Sequence, residues 1–237
     1  MTHFDLRDGQ LIGHRYEVVT QLGSGWEGEV YLIRELATGI ERTAKIFFPQ
    51  RNPGNRTARQ YATKLHKLRH CQVLIQYVTQ EKIRCRNESV TVLVSEYVEG
   101  EVLSEMLKRR SGGRLPVFEA LHLLHALAAG MADIHNAREY HGDLHTDNII
   151  VRRFGLGFEV KLIDMFVHPL PKRELIKEDI CDLIRIFYDS LGGARHYAKQ
   201  PKEVKAICCG LKKTLILKKY RTAAQLRDYL QTIKWQS

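Results

Sequence analysis

The hydrophobic pattern changes character near Gly100, and this switch constrains the architecture more than any other feature of the 237-residue chain. Before it, β-branched and aromatic residues gather in short runs at Tyr16 to Leu22, Glu29 to Glu35, Arg42 to Phe48, Leu74 to Thr79 and Val90 to Ser95, broken by Gly or Pro. Such runs predict strands. One helical stretch, Arg56 to Arg69, interrupts them. After the switch, Leu121, Leu124, Ala128, Met131 and Ile134 recur at helical spacing, which predicts an amphipathic helix over Pro116 to Asn136. Further helices are expected over Lys177 to Ser190, Pro201 to Lys212 and Thr222 to Ile233. A β-rich part (1–98) followed by a helical part (99–237) is an α+β order, with Glu99 and Gly100 where a hinge would be.

A composition of 44% hydrophobic and 27% charged residues is that of a folded chain rather than a disordered one. No apolar run approaches the roughly 20 residues that a bilayer requires. The N-terminal MTHFDLRDGQ lacks the apolar stretch of a secretory signal. The expectation is a soluble, cytoplasmic protein without a transmembrane segment. Five cysteines, odd in number and without a CxxC pair, argue against a zinc or redox centre and for reduced thiols. The net charge of +10 favours an acidic partner, nucleotides included, although a solvated basic surface produces the same count.

Four stretches carry chemistry. Leu22-Gly23-Ser24-Gly25-Trp26-Glu27-Gly28-Glu29-Val30 is a GxGxxGxV string between two predicted strands. Glycine lets backbone N–H groups approach phosphates, but a plain glycine-rich hairpin reads the same way. A dinucleotide-binding loop would open a helix, whereas Glu29 to Glu35 reads as a strand. Thr43-Ala44-Lys45-Ile46 lies in the next strand, where alternation puts Ala44 and Lys45 on opposite faces. Taken alone, Lys45 reads as an ordinary solvated strand lysine. The most informative stretch is His141-Gly142-Asp143-Leu144-His145-Thr146-Asp147-Asn148, which follows the long helix and precedes Ile149-Ile150-Val151. An acid and an amide on one tight polar loop can address a substrate hydroxyl and a divalent ion together. Val160 to Asp164 then reads as a strand ending in a carboxylate suited to Mg²⁺.

In this order the motifs resemble those of the protein kinase superfamily, from about Tyr16 to the C-terminus. The family's glycine-rich loop is matched by Gly23, Gly25 and Gly28, its strand lysine by Lys45, its catalytic HxDxxxxN by His141, Asp143 and Asn148, and its metal-binding acid by Asp164. The resemblance implies a two-lobed kinase fold with a β-rich N-lobe and a helical C-lobe. It also implies ATP as cofactor with Mg²⁺, or Mn²⁺ in its place, held by Asn148 and Asp164. Leu93 to Val98 looks like the adenine-contacting strand and hinge, with Ser95 as gatekeeper and the Glu96 carbonyl and Val98 N–H on the base. Leu22, Val30, Ala44 and Ile150 match the apolar shell around it. Asp179 to Leu183 looks like the start of the large C-lobe helix.

The implied activity moves the γ-phosphoryl group of ATP to a hydroxyl, most simply as a minimal serine/threonine protein kinase. Three departures keep alternatives open. The stretch Arg56 to Arg69 contains no acid, and Tyr61 stands where the family has a glutamate, so Lys45 must be held by Gln60, Tyr61, an acid elsewhere or the phosphates themselves. The segment from Asp164 to Asp179 is short and lacks Ala-Pro-Glu. His145 stands where serine/threonine kinases commonly have lysine, and Met165 and Phe166 follow Asp164. A kinase of small molecules or glycans fits the second and third departures, and a nucleotide-binding scaffold without catalysis fits the first.

Overall fold

In the computed structural model the strand-like runs of the first hundred residues pair into one antiparallel sheet. The structure describes residues 3–85, 88–155 and 157–234. The sheet is built from β1 (Leu11–Ile12), β2 (Tyr16–Ser24), β3 (Gly28–Glu35), β4 (Glu41–Phe47), β5 (Tyr77–Cys85) and β6 (Glu88–Glu96), in the spatial order β1-β2-β3-β4-β6-β5. Helix α1 (Arg56–Lys67) contacts β5 and β6. Together these form one of two compact units, Met1–His70 with Ile75–Val98.

Alternation along the central strands sorts this unit. Tyr31 and Ile33 of β3, Ala44 and Ile46 of β4, and Val90, Val92 and Val94 of β6 share one buried cluster with Phe4, Tyr16 and Val18. Each fully buried Val, Ile or Phe side chain of the cluster contributes about 1.5–3 kcal/mol. The N-terminal segment belongs to the cluster because Phe4 stacks on Phe48 at 5.3 Å and the Phe4 N–H donates to the buried Glu29 carboxylate at 3.2 Å. Residues of opposite parity, Val30, Leu32, Thr43, Lys45, Leu93 and Ser95, pair across β3, β4 and β6 on the other face.

The second unit, Cys71–Leu74 with Glu99–Ser237, is mainly helical. It contains the three-stranded sheet β7 (Glu101–Val102), β8 (Ile149–Phe154) and β9 (Gly157–Leu162), in that order. Its helices are α2 (Leu103–Arg109), α3 (Val117–Asn136), α4 (Lys172–Ser190), α5 (Ala194–Tyr197), α6 (Lys202–Cys208), α7 (Lys213–Lys219) and α8 (Ala223–Thr232). Helix α3 buries Leu123, Leu124, Leu127, Ala128, Met131 and Ile134 and packs against α4 and α8. It is long and apolar enough to cross a bilayer by length and composition, contrary to the sequence expectation that no stretch is. Its contacts inside the unit account for that apolarity.

Four expectations are corrected. The strand expected at Leu74 to Thr79 begins at Tyr77, because Val73 and Leu74 join the second unit, where the Val73 carbonyl accepts the Leu162 N–H at 2.7 Å. The helix expected over Pro201 to Lys212 stops at Cys208, since Cys209 and Gly210 both adopt positive φ and a new helix starts at Lys213. Helix α4 begins at Lys172 rather than Lys177. Leu121 of the expected α3 stripe is only half-buried. All five cysteines are free thiols, and burial pushes Cys181 up to about 11 and Cys208 up to about 12, which keeps them as unreactive thiols.

Candidate active site

The glycine string is a hairpin between β2 and β3. Gly23 pairs with Val30 and Ser24 with Glu29, and the Gly25 N–H donates to the Gly28 carbonyl at 2.9 Å to close the turn. Gly28 must be glycine, because a Cβ there would lie 2.0 Å from the Ile46 carbonyl oxygen. Close approach of the hairpin to β4 therefore depends on the missing side chain.

Lys45 is not a solvated strand lysine. It is 8% exposed, and its ammonium lies 2.8 Å from the Glu27 carboxylate and 5.2 Å from the centre of the Tyr61 ring. Val30 stands directly across from Lys45 in the β3–β4 pairing. Ala44, expected in the adenine shell, belongs instead to the apolar cluster on the opposite face of β4. Thr43, two residues before Lys45 and paired with the buried Ser95, holds the position on the lysine's own face. Strand alternation was the signal for Thr43. Leu22 is exposed. Glu96 ends β6 with its N–H on the Gln76 carbonyl at 2.9 Å, and Val98 is half-buried at the end of this unit's chain.

In the second unit, the loop after α3 is organised by buried groups. The His141 ring is fully buried; Nδ1 accepts the Asp143 N–H at 3.3 Å and Nε2 lies 2.9 Å from the Ile163 carbonyl. That pair of contacts assigns the proton to Nε2. Gly142 adopts φ +88°, and a Cβ there would meet the Tyr140 ring at 2.8 Å. The Asn148 amide nitrogen donates to the Asp143 carbonyl at 2.8 Å and to its Oδ2 at 3.2 Å, while His145 Nε2 lies 3.5 Å from the same Oδ2. Asn148 is buried, whereas the Asp143 and His145 side chains are exposed. Ile150 is half-buried in β8, opposite Val102 and Lys161.

Asp164 is brought beside this loop by the backbone. The Ile163 N–H donates to the Asn148 carbonyl and the Phe166 N–H to the His141 carbonyl, both at 3.0 Å, on either side of Asp164 at φ +56°. Among the described residues no three His, Cys, Asp or Glu side chains form a metal cluster. Mg²⁺ commonly takes one or two protein ligands and completes its octahedron with phosphate and water, so the Asn148 amide oxygen and the Asp164 carboxylate suit it.

Two acids of α4 lie under the loop, and sequence reasoning had taken Asp179 only as a helix start. Its buried carboxylate accepts the His141 N–H at 2.8 Å and the Gly142 N–H at 3.0 Å, and His135 Nε2 lies 3.1 Å away. Asp182, three residues on, is pushed up to about 7, first by burial and then by Asp179, Glu178 and Asp143, with Arg185 opposing. The folded state therefore keeps a proton that the unfolded chain releases near its ordinary 3.8, and stability falls as pH rises from about 4 to 7, then levels. Asp182→Asn is expected to add on the order of 2–4 kcal/mol at pH 8 and little at pH 4.5. Urea unfolding at the two pH values checks this, and an equal gain at both would contradict it.

These motifs agree with known proteins. The sequence profile of the protein kinase domain matches residues 16–168. The chain is 31% identical over 163 residues to the serine/threonine-protein kinase pkn2 of Myxococcus xanthus, covering 66% of this chain and 18% of that protein. It is 27% identical over 150 residues to the serine/threonine-protein kinase PrkC of Bacillus subtilis, covering 62% of this chain and 22% of that one. The chain thus spans about a fifth of the length of these two relatives. Among solved structures, a double-mutant form of the Mycobacterium tuberculosis PknI kinase domain superposes with a TM-score of 0.69 at 16% identity, over 95% of this chain and 98% of that one. The β-rich and helical units are those of a kinase fold, and the chain belongs to the protein kinase domain family.

Proposed function

We propose that this chain is an ATP-dependent protein kinase that transfers the γ-phosphoryl group to serine or threonine hydroxyls. The observation that carries the reading is the tie among Asp143, Asn148 and the Asp164 turn. Phosphoryl transfer asks mainly for positioned groups, and here the acid, the amide and the second acid are fixed by backbone and side-chain hydrogen bonds.

In this reading the hairpin Gly23–Gly28 covers the phosphates and Lys45 attracts the α and β groups. Val30 and Thr43 flank the base, and the Glu96 carbonyl and Val98 N–H meet its edge. Ile150 supplies an apolar contact. Asn148 and Asp164 hold Mg²⁺, which when bound neutralises charge on the departing phosphoryl group. Asp143 orients the acceptor hydroxyl and takes its proton late, so placement counts for more than basicity. The Asn148 amide nitrogen, which also lies 3.0 Å from His145 Nε2, holds the Asp143 carboxylate in place for that task. The exposed Arg56, Arg59 and Lys67 of α1, with Arg69 just beyond it, offer a surface to an acidic protein partner.

One observation favours a second reading, a kinase of small molecules. Only residues 165–171 separate Asp164 from α4, which leaves little chain for docking a peptide. Purified protein with γ-labelled ATP and Mg²⁺, tested with a generic basic protein and with sugar and aminoglycoside acceptors, separates the two. Label on protein supports the first reading; turnover confined to small acceptors overturns it.

A further inference from the structure

Helix α1 offers Lys45 no carboxylate, yet the ammonium is buried, and an unpaired buried charge is costly. Its partner within the first unit comes from the glycine hairpin: Glu27 Oε2 lies 2.8 Å from Nζ, and both side chains are largely buried. We infer that Glu27 is the positioning residue for Lys45, so that the orientation of the phosphate-binding lysine is set by the glycine-rich hairpin rather than by α1.

The hairpin tip is built to hold that carboxylate. The Phe48 N–H donates to the Glu27 carbonyl at 2.9 Å, which ties the Glu27 backbone to the end of β4. Next to it, the Trp26 ring carries the Arg51 guanidinium at 3.8 Å. With the Gly25–Gly28 bond closing the turn, the tip is fixed on both sides of Glu27 before its side chain makes any contact. The Tyr61 and Phe47 rings also lie 5.2 and 5.4 Å from Nζ, close enough for cation–π attraction. Tyr61 occupies the helical position from which an acid would otherwise reach.

An ammonium has three N–H donors, so Glu27 can hold Lys45 while a donor remains for a phosphate oxygen. The pairing makes the hairpin a control point. When the tip lifts, the Glu27 carboxylate leaves the lysine, and movement of α1 alone does not take that carboxylate away. The contact consists of an acid at the tip of a glycine string and a lysine in the following strand, so it is local to the β2–β4 meander.

This inference rests on the kinase reading, and the test keeps the two apart. Steady-state transfer from Mg·ATP to a generic basic protein is measured alongside direct binding of Mg·ATP for wild type, Glu27→Gln, Glu27→Asp and the double variant Glu27→Gln/Tyr61→Glu. Glu27→Gln is expected to lower kcat about 10- to 100-fold, the scale of a misplaced catalytic group, with KM for ATP changed less than about threefold. Glu27→Asp and the helix acid in the double variant should each restore at least about a third of the lost activity on a logarithmic scale, since either returns a carboxylate to the lysine. Unchanged or raised kcat in Glu27→Gln overturns the inference while an active wild type upholds the kinase reading. A loss that neither rescue variant repairs also overturns it, by marking Glu27 as structural. A wild type that neither binds nor consumes ATP removes both.

Discussion

Replacing Asp164 by asparagine is expected to lower phosphoryl transfer by at least about 10³-fold, while leaving the unfolding midpoint within a few degrees of wild type. The size follows from the role proposed for this carboxylate: if Asp164 holds the metal ion, removing its charge takes away metal-assisted stabilisation of the leaving phosphoryl group, and such electrostatic contributions are commonly the largest in a site. Asparagine is preferable to alanine because Asp164 sits at φ +56°. Asp and Asn tolerate that left-handed conformation, whereas alanine there costs about 1–2 kcal/mol of backbone strain and would confuse stability with catalysis. The flanking hydrogen bonds, Ile163 to Asn148 and Phe166 to His141, are made by the backbone and survive the change. Thermal unfolding with initial rates at several Mg²⁺ concentrations provides the check. Wild-type activity in a folded Asp164→Asn protein would remove Asp164 from the metal assignment.

The order of motifs was legible in the sequence because each depends on local chemistry. Glycines in a hairpin, a histidine three residues ahead of Leu144 and an acid closing an apolar strand mark themselves without reference to distant partners. Helix α3 was legible through its periodicity, which burial of Leu124, Ala128, Met131 and Ile134 satisfies. What could not be read were choices made by tertiary contacts. Strand β5 carries Gln80, Glu81, Lys82 and Arg84 at the sheet edge, so its apolar signal is weak, and the stronger run Val73-Leu74 just before it is claimed by β9 of the other unit. Ala44 was assigned to the nucleotide shell although its parity with Lys45 already opposed this, and the cluster around Ile46 and Val94 shows where a small residue on that face goes. The pairing of Lys45 with Glu27 was hidden among several candidates, since a carboxylate's reach in space is not written in its spacing along the chain.

Asp179 sets the second large expectation. Its carboxylate is fully buried and accepts two consecutive backbone N–H groups, His141 and Gly142, with the His135 ring as a third neighbour. Asp179→Ala leaves these donors buried without an acceptor, and removing one partner from a buried charged network costs about 3–5 kcal/mol. Asp179→Asn keeps one acceptor oxygen but turns an NH₂ toward a donor, so a loss of about 1–3 kcal/mol is expected. Both variants release the loop at the residue with φ +88°, Gly142, immediately before Asp143, so kcat should fall even where the protein remains folded. The neighbouring acid makes the comparison sharp. Asp182 lies one helical turn along α4 and among the described residues has no donor comparable to those of Asp179, and burial pushes its carboxyl up to about 7, so its replacement by asparagine is expected to stabilise at pH 8 where that of Asp179 destabilises. Urea unfolding of the two single variants and the double variant, with kcat recorded below the transition, reads both signs in one experiment. Stability of Asp179→Ala within about 1 kcal/mol of wild type would mean that the loop does not depend on this carboxylate, and the positioning of Asp143 would then have to come from His141 and Asn148 alone.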